Sequence, residues 1–192
     1  MRDHSTRKCV DACPNNTFFD PNADECVEKC PVEYNVTTRF YGDPTQAIPK
    51  CVVNSSCPTN YFADDVVGLC VQTCSESQWK YLKNCLTHCP DGYFGNFDTG
   101  FCVLPADCPT NHYANSETKT CVSVCNGSFA DTNAKTCVDI CPTNYYADPS
   151  TRLCSLECTN NATVTLHKNI ANKTCVSGCD EYLYLNTQNN NC

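Results

Sequence analysis

The stretch Cys141-Pro142-Thr143-Asn144-Tyr145-Tyr146-Ala147-Asp148-Pro149-Ser150-Thr151-Arg152-Leu153-Cys154 decides how this chain is read. Two cysteines bracket an aromatic pair, a polar Asp-Pro-Ser-Thr segment and a short return to the second cysteine. Aromatic residues favour strands, while Asp, Pro and Ser favour turns, so the stretch predicts a hairpin with a cysteine at each foot. The same pattern recurs at Cys57-Pro58-Thr59-Asn60-Tyr61-Phe62-Ala63-Asp64 and at Cys108-Pro109-Thr110-Asn111-His112-Tyr113-Ala114-Asn115. Each copy runs through a polar turn to a short strand, a cysteine and usually a valine (Val71, Val122, Val138). A two-stranded hairpin is marginal alone. Closing it with a disulfide across a loop of a dozen residues stabilises it by about 3 kcal/mol.

Working outward, the cysteines fall in couples at 9/13, 26/30, 51/57, 70/74, 85/89, 102/108, 121/125, 137/141, 154/158 and 175/179, followed by Cys192. Most couples are C-x3-C; 51/57 and 102/108 are C-x5-C, and they recur 51 residues apart, so a block of three hairpins is itself repeated. This places ten units at 13–26, 30–51, 57–70, 74–85, 89–102, 108–121, 125–137, 141–154, 158–175 and 179–192. Self-similarity at a short period predicts a nearest-neighbour array. The expected fold is a small disulfide-rich β-hairpin repeat array, an elongated rod with little hydrophobic core. Two strands per unit at the usual strand spacing give roughly 10 Å of rise each, or about 100 Å in all.

Three pairing schemes are open. The cysteines of a couple can bond to each other, or the second of one couple to the first of the next, or a crossed arrangement can alternate unit types. The second scheme closes every hairpin: Cys13–Cys26, Cys30–Cys51, Cys57–Cys70, Cys74–Cys85, Cys89–Cys102, Cys108–Cys121, Cys125–Cys137, Cys141–Cys154, Cys158–Cys175 and Cys179–Cys192. It leaves Cys9 unpaired or available for an inter-chain bond.

Composition points the same way. The chain has 21 cysteines in 192 residues, while Leu, Ile, Val and Phe together supply only 35. A chain so poor in core formers does not offset its conformational entropy without cross-links. Dense disulfides imply an oxidising home, reached through the secretory pathway: extracellular or at the cell surface. The net charge of −8 argues against nucleic acid as a partner. No apolar run approaches the roughly 20 residues that span a bilayer, so direct membrane insertion of this segment is not expected. The polar opening before Cys9 carries no apolar signal segment, and the expectation is a piece of a longer protein.

The run C-x3-C-P-x-x-Y-[FY]-x-[DN]…C resembles the furin-like repeat of growth-factor-receptor cysteine-rich regions and R-spondin-type proteins. It is still more similar to the cysteine-rich arrays of protist surface proteins, ciliates above all. Cys89-Pro90-Asp91-Gly92-Tyr93-Phe94-Gly95-Asn96 is the copy nearest the furin-like form. The resemblance implies that Cys89 bonds Cys102. It is weakest in 31–50, 75–84 and 159–174, and the chain lacks the compact N-terminal knot of R-spondin repeats, so their receptor-binding role is not carried over.

Other chemistries fit less well. Structural zinc sites and thiol-redox motifs use C-x2-C, which no couple has, and His4, His88, His112 and His167 are scattered. The acid after the aromatics (Asp20, Asp64, Asp131, Asp148) reads as an Asx-type turn residue, since each unit has too few carboxylates for calcium. No catalytic motif is present, so no enzyme activity, metal or cofactor is expected. Strand alternation predicts that one ring of each pair Tyr61/Phe62, Tyr93/Phe94 and Tyr145/Tyr146 packs on the disulfides while the other points outward. Trp79, in a unit that breaks the template, is a candidate contact residue. Glycan acceptors of the form N-x-[ST] occur at Asn15, Asn35, Asn54, Asn126, Asn161 and Asn172. These features predict a glycosylated structural repeat protein of a cell-surface coat or fibre, with partners that are other copies of itself, other surface proteins and covalent N-glycans. A receptor or adhesin ectodomain binding a protein or glycan is the alternative.

Overall fold

A computed structural model describes residues 1–3, 6–32, 39–160, 165–179, 185–186 and 191–192. It divides into two compact bodies, Met1–Cys89 and Pro90–Cys192. The first contains β1 (Arg2–Asp3), β2 (Lys8–Cys9), β3 (Phe18–Asp20), β4 (Glu25–Val27), β5 (Phe40–Asp43), β6 (Lys50–Val53), β7 (Phe62–Asp64), β8 (Leu69–Val71), β9 (Trp79–Tyr81) and β10 (Asn84–Leu86). The second contains β11 (Phe94–Asn96), β12 (Phe101–Val103), β13 (Tyr113–Asn115), β14 (Thr120–Val122), β15 (Phe129–Asp131), β16 (Thr136–Val138), β17 (Tyr146–Asp148), β18 (Leu153–Ser155), β19 (His167–Asn169) and β20 (Thr174–Val176). The two C-x5-C couples differ from the rest by a short 3-10 turn each, Asn54–Ser56 and Pro105–Asp107.

Each odd strand runs antiparallel to the strand that follows it, as Phe62↔Val71, Ala63↔Cys70 and Asp64↔Leu69 illustrate. Its other edge pairs in parallel with the return strand of the next hairpin, through two residue pairs between β1 and β4 and one residue pair at Gly42↔Leu69, Ala63↔Asn84, Ala114↔Thr136 and Ala130↔Leu153. The strand order in the first body is therefore β2-β1-β4-β3-β6-β5-β8-β7-β10-β9. In the second it is β12-β11-β14-β13-β16-β15-β18-β17-β20-β19.

Two turns make the hairpin. The lead-in turn follows the cysteine: the N–H of Tyr61, Tyr93, His112 and Tyr145 donates to the carbonyl of Pro58, Pro90, Pro109 and Pro142, at 3.0 to 3.1 Å. Its third residue lies in the left-handed region, at Asn60 (φ 63°), Gly92 (φ 82°), Asn111 (φ 57°) and Asn144 (φ 69°). That requirement explains Pro-x-[Asn/Gly] after the cysteine, because Gly and Asn tolerate positive φ best. The second turn forms the tip and ends on another left-handed residue just before the return strand, including Gly68, Lys119, Lys135, Arg152 and Lys173.

The carbonyl of that second left-handed residue carries the stacking of hairpin on hairpin. It accepts the N–H at the centre of the preceding hairpin's first strand: Gly68 from Gly42, Lys119 from Gly95, Lys135 from Ala114, Arg152 from Ala130 and Lys173 from Ala147, all at 2.8 to 2.9 Å. The donor residues are buried and small because the next hairpin lies directly against them. Ala114 is fully buried, and a Cβ at Gly42 would stand 2.5 Å from Phe18 Cε1 and 2.8 Å from Leu69 Cδ2.

Sulfur and aromatic rings supply the interior. Cys57, Cys70 and Ala63 pack with Tyr41 of the preceding hairpin and with their own Tyr61. Cys108, Cys121 and Ala114 pack with Phe94 and Val103 of the hairpin before. Cys141, Cys154 and Ala147 pack with Phe129 and Val138 of the hairpin before and with their own Tyr145. Each of these disulfides is thus covered from both sides by apolar groups. The tertiary packing overrides the expectation that one ring of each aromatic pair projects outward: Phe62 and Phe94 are buried, and Tyr61, Tyr93, Tyr145 and Tyr146 are half-buried. A three-residue strand is too short to leave a separate outer face once the next hairpin stacks on its end.

Gly42→Ala introduces a methyl between Phe18 and Leu69. The expected result is a loss of about 1–3 kcal/mol, read as a lower thermal midpoint under oxidising conditions. An unchanged midpoint would show that Phe18 yields freely.

Candidate functional site

The hairpin tips hold the residues with the most chemistry. Asp20, Asp43, Asp64, Asn96, Asn115, Asp131, Asp148 and Asn169 occupy the same position, the end of the first strand, and all are buried. In each, Oδ1 accepts the N–H two residues on, at 2.8 to 3.1 Å: Asn22, Thr45, Val66, Asp98, Glu117, Asn133, Ser150 and Ala171 are the donors. Asn makes the same bond as Asp at three of these positions, so the tip needs an acceptor oxygen and not a charge. The acid therefore serves the turn. Among the described residues no three His, Cys, Asp or Glu side chains gather where they could hold a metal ion.

At Asp64 and Asp148 the second carboxylate oxygen reaches the start of the next hairpin. Asp64 Oδ2 accepts from Ser75 N at 3.1 Å and Ser75 Oγ at 2.6 Å, and Asp148 Oδ2 accepts from Thr159 N at 3.0 Å. Burial pushes the Asp64 carboxyl up, but hydrogen bonds from Ser75, Val66 and Val67 outweigh it and hold the group below the usual aspartate value. Burial likewise opposes, and bonds from Ser150 and Thr159 outweigh it, at Asp148. Both carboxylates tie one hairpin to the next.

Cations bridge hairpins as well. Lys83 Nζ donates to the carbonyls of Cys57 and Pro58 at 2.9 and 2.7 Å. Lys135 does the same to Cys108 and Pro109, and Lys173 to Cys141. Lys80, Arg152 and Lys168 lie over the rings of Phe62, Phe129 and Tyr146, each ring belonging to the preceding hairpin. Tyr41 donates to Asp65 Oδ1 at 2.7 Å while the Arg39 guanidinium meets the same carboxylate at 3.2 Å. Burial, then the Asp65 carboxylate, raises the Tyr41 phenol to about 12 against the opposing pull of Arg39. None of these lysine bridges is evident from composition; the signal that could have found them is a basic residue just before the return strand.

The structure bonds Cys13 to Cys26, Cys30 to Cys51, Cys57 to Cys70, Cys74 to Cys85 and Cys108 to Cys121. It also bonds Cys125 to Cys137, Cys141 to Cys154, Cys158 to Cys175 and Cys179 to Cys192. Cys89 and Cys102 are likewise disulfide-bonded, and Cys9 is free and exposed on β2. Of the sequons, Asn15, Asn126 and Asn172 are exposed, Asn54 is half-buried, and Asn35 and Asn161 lie outside the described residues. Trp79 is half-buried on β9, opposite Leu86. Through a ring nitrogen His88 meets the Thr87 hydroxyl and His112 the Thr110 carbonyl, His167 lies on β19, and His4 is outside the described residues.

Asp64→Ala removes the acceptor for three donors and is expected to cost about 1–3 kcal/mol, whereas Asp64→Asn keeps Oδ1 and costs less. The folded-state pKa of Asp64 and Asp148 is depressed, so their contribution is present above the ordinary aspartate value and is lost as pH falls through the folded one. Thermal midpoints followed into acid should fall for the native chain and fall less steeply for Asp64→Asn. Parallel slopes would refute the assignment.

The comparisons fit this picture. The chain is 29% identical over 140 residues to human proprotein convertase subtilisin/kexin type 6, a match covering 70% of this chain and 12% of that protein. The chain thus spans a small fraction of the length of the curated relative it matches. No family model matches the chain, and no solved structure matches it. No helix is long and apolar enough to cross a membrane among the described residues. The convertase match and the repeated disulfides together fit furin-like cysteine-rich repeats, in a chain of the disulfide-rich extracellular type.

Proposed function

We propose that this chain is a glycosylated extracellular structural protein, part of a cell-surface coat or fibre built by contacts between copies. The observation that carries the reading is the uniform hairpin-to-hairpin contact. The first strands at Gly42, Gly95, Ala114, Ala130 and Ala147 each offer their outer edge, and their central N–H, to the return strand and left-handed carbonyl of the hairpin that follows, and Phe19 and Ala63 donate in the same way to the carbonyls of Pro49 and Lys83. Surfaces that match their own kind within a chain suit stacking between chains. The charged and aromatic groups at those contacts are spent on stacking, which supports scaffolding over catalysis.

A receptor or adhesin ectodomain is the second reading. It is favoured by a depression of about 200 Å³ in the first body, where Val66, Val67 and Val32 stand exposed beside Phe18, Phe40 and Arg39. Size-exclusion chromatography and electron microscopy of native material decide between them. Filaments or ordered arrays are the expected outcome. Discrete monomers that retain a ligand would sink the structural reading.

A further inference from the structure

Two of the sequons occupy one repeat position. Asn15 is the second residue of the lead-in turn closed by Thr17 N to the Pro14 carbonyl at 3.1 Å, and Asn126 is the second residue of the turn closed by Ser128 N to the Cys125 carbonyl at 3.4 Å. Both are exposed. Each also borders an open hollow between its own hairpin and the one before. The hollow at Asn15 measures about 620 Å³ and is walled by Asp3, Thr17, Glu25 and Glu28. The hollow at Asn126 measures about 410 Å³ and is walled by Asn115, Glu117, Ser128 and Asp139. Three of the walls correspond: Asp3 with Asn115 at the tip of the preceding hairpin, Thr17 with Ser128, and Glu28 with Asp139 two residues past the closing cysteine, while Glu25 lines only the first hollow and Glu117 only the second.

Asn54 is different. Its Nδ2 donates to Asn84 Oδ1 at 3.0 Å, and its Oδ1 accepts from Ser55 N at 2.8 Å. The carboxamide joins the 3-10 turn Asn54–Ser56 to the head of β10, and the residue is half-buried. A sugar on that nitrogen must displace the bridge or crowd it. At Asn172, by contrast, only Oδ1 is committed, to Thr174 N at 3.2 Å and Thr174 Oγ1 at 2.6 Å.

We infer that Asn15 and Asn126 carry N-linked glycans whose first sugar lies in the polar hollow beside each, while Asn54 stays bare because Asn84 holds its carboxamide. The transfer takes an oligosaccharide from a lipid pyrophosphate donor: the sugar C1–O bond breaks, the Nδ2–C1 bond forms, the pyrophosphate leaves with the bonding pair, and the amide proton passes to a base of the transferase. The hydroxyls and N-acetyl group of the sugar are matched by the carboxylate, carboxamide and hydroxyl walls of the hollow, all able to accept or donate hydrogen bonds. This rests on the secretory glycoprotein reading above and goes beyond it by assigning the sites. Serine is the third residue of the sequon at both Asn54 and Asn126, so a weaker serine sequon does not account for the difference.

The test is a site-by-site occupancy map of the full chain secreted from a eukaryotic host, with glycans released enzymatically in heavy-oxygen water so that each modified Asn is marked. The native chain should be marked at Asn15 and Asn126 and unmarked at Asn54, and Asn84→Ala should raise the mark at Asn54 several-fold. Full occupancy of Asn54 in correctly disulfide-bonded native protein overturns the inference, as does an unmarked Asn15 or Asn126. So does an Asn54 that stays bare in both chains, because the Asn84 bond is then not what excludes the sugar. A secreted, disulfide-bonded chain with no glycan anywhere overturns the glycoprotein reading itself, which distinguishes that failure from a wrong assignment of sites.

Discussion

The contact on which the rest of this structure depends is the disulfide at the foot of each hairpin, which at Cys57–Cys70, Cys108–Cys121 and Cys141–Cys154 is packed between the hairpin's own residues and an aromatic ring from the hairpin before. Strands of two to four residues make too few ladder bonds to persist alone. A cross-link removes most of the conformational freedom that such a small loop would otherwise regain. Once closed, the sulfur pair becomes apolar surface, and Tyr41, Phe94 and Phe129 each use it as a neighbouring core residue would be used elsewhere. Covalent closure and apolar packing are therefore the same event. The interior is a succession of small clusters, each shared by two hairpins.

Polar groups complete what sulfur begins. Inside eight of the tips a carboxylate or carboxamide is buried, at Asp20, Asp43, Asp64, Asn96, Asn115, Asp131, Asp148 and Asn169, a placement that costs free energy unless its oxygens find donors. The backbone N–H groups of the turn meet that need, and at Asp64 and Asp148 the spare oxygen reaches the next hairpin. Lysine side chains return the favour by capping the carbonyls of the preceding lead-in turn. The stacking is thus specified by backbone polarity at fixed places, which tolerates wide variation in the exposed residues between them.

Much of this was legible before any coordinates. Asp148-Pro149-Ser150-Thr151 announces a tip, and the cysteine feet announce closure, because local turn chemistry and spacing are sequence-near quantities. The pairing of hairpin with hairpin was not legible. It is one or two residues wide, one at Ala63 and Asn84, and so leaves no periodic trace. The covering of both rings of a pair is not legible for the same reason: alternation assigns faces to a strand long enough to have two, and these are not. Asp and Asn alternate at the end of the first strand because either supplies the acceptor oxygen, and the burial of that residue is a tertiary effect of the hairpin stacked beside it. The hollows beside Asn15 and Asn126 needed coordinates, since their walls come from residues of two successive hairpins.

The cross-links also fix how the backbone transmits tension. In each of the nine bonds described, the sulfurs join residues 11 to 21 positions apart. A pull along the molecule therefore travels through sulfur and bypasses the loop, whose length cannot pay out while the bond lasts. Only the short spacers between one disulfide and the next remain to be drawn straight, at about 3.4 Å per residue. Reduction would release the bypassed lengths, so that each body could be drawn out by the residues its loops hold.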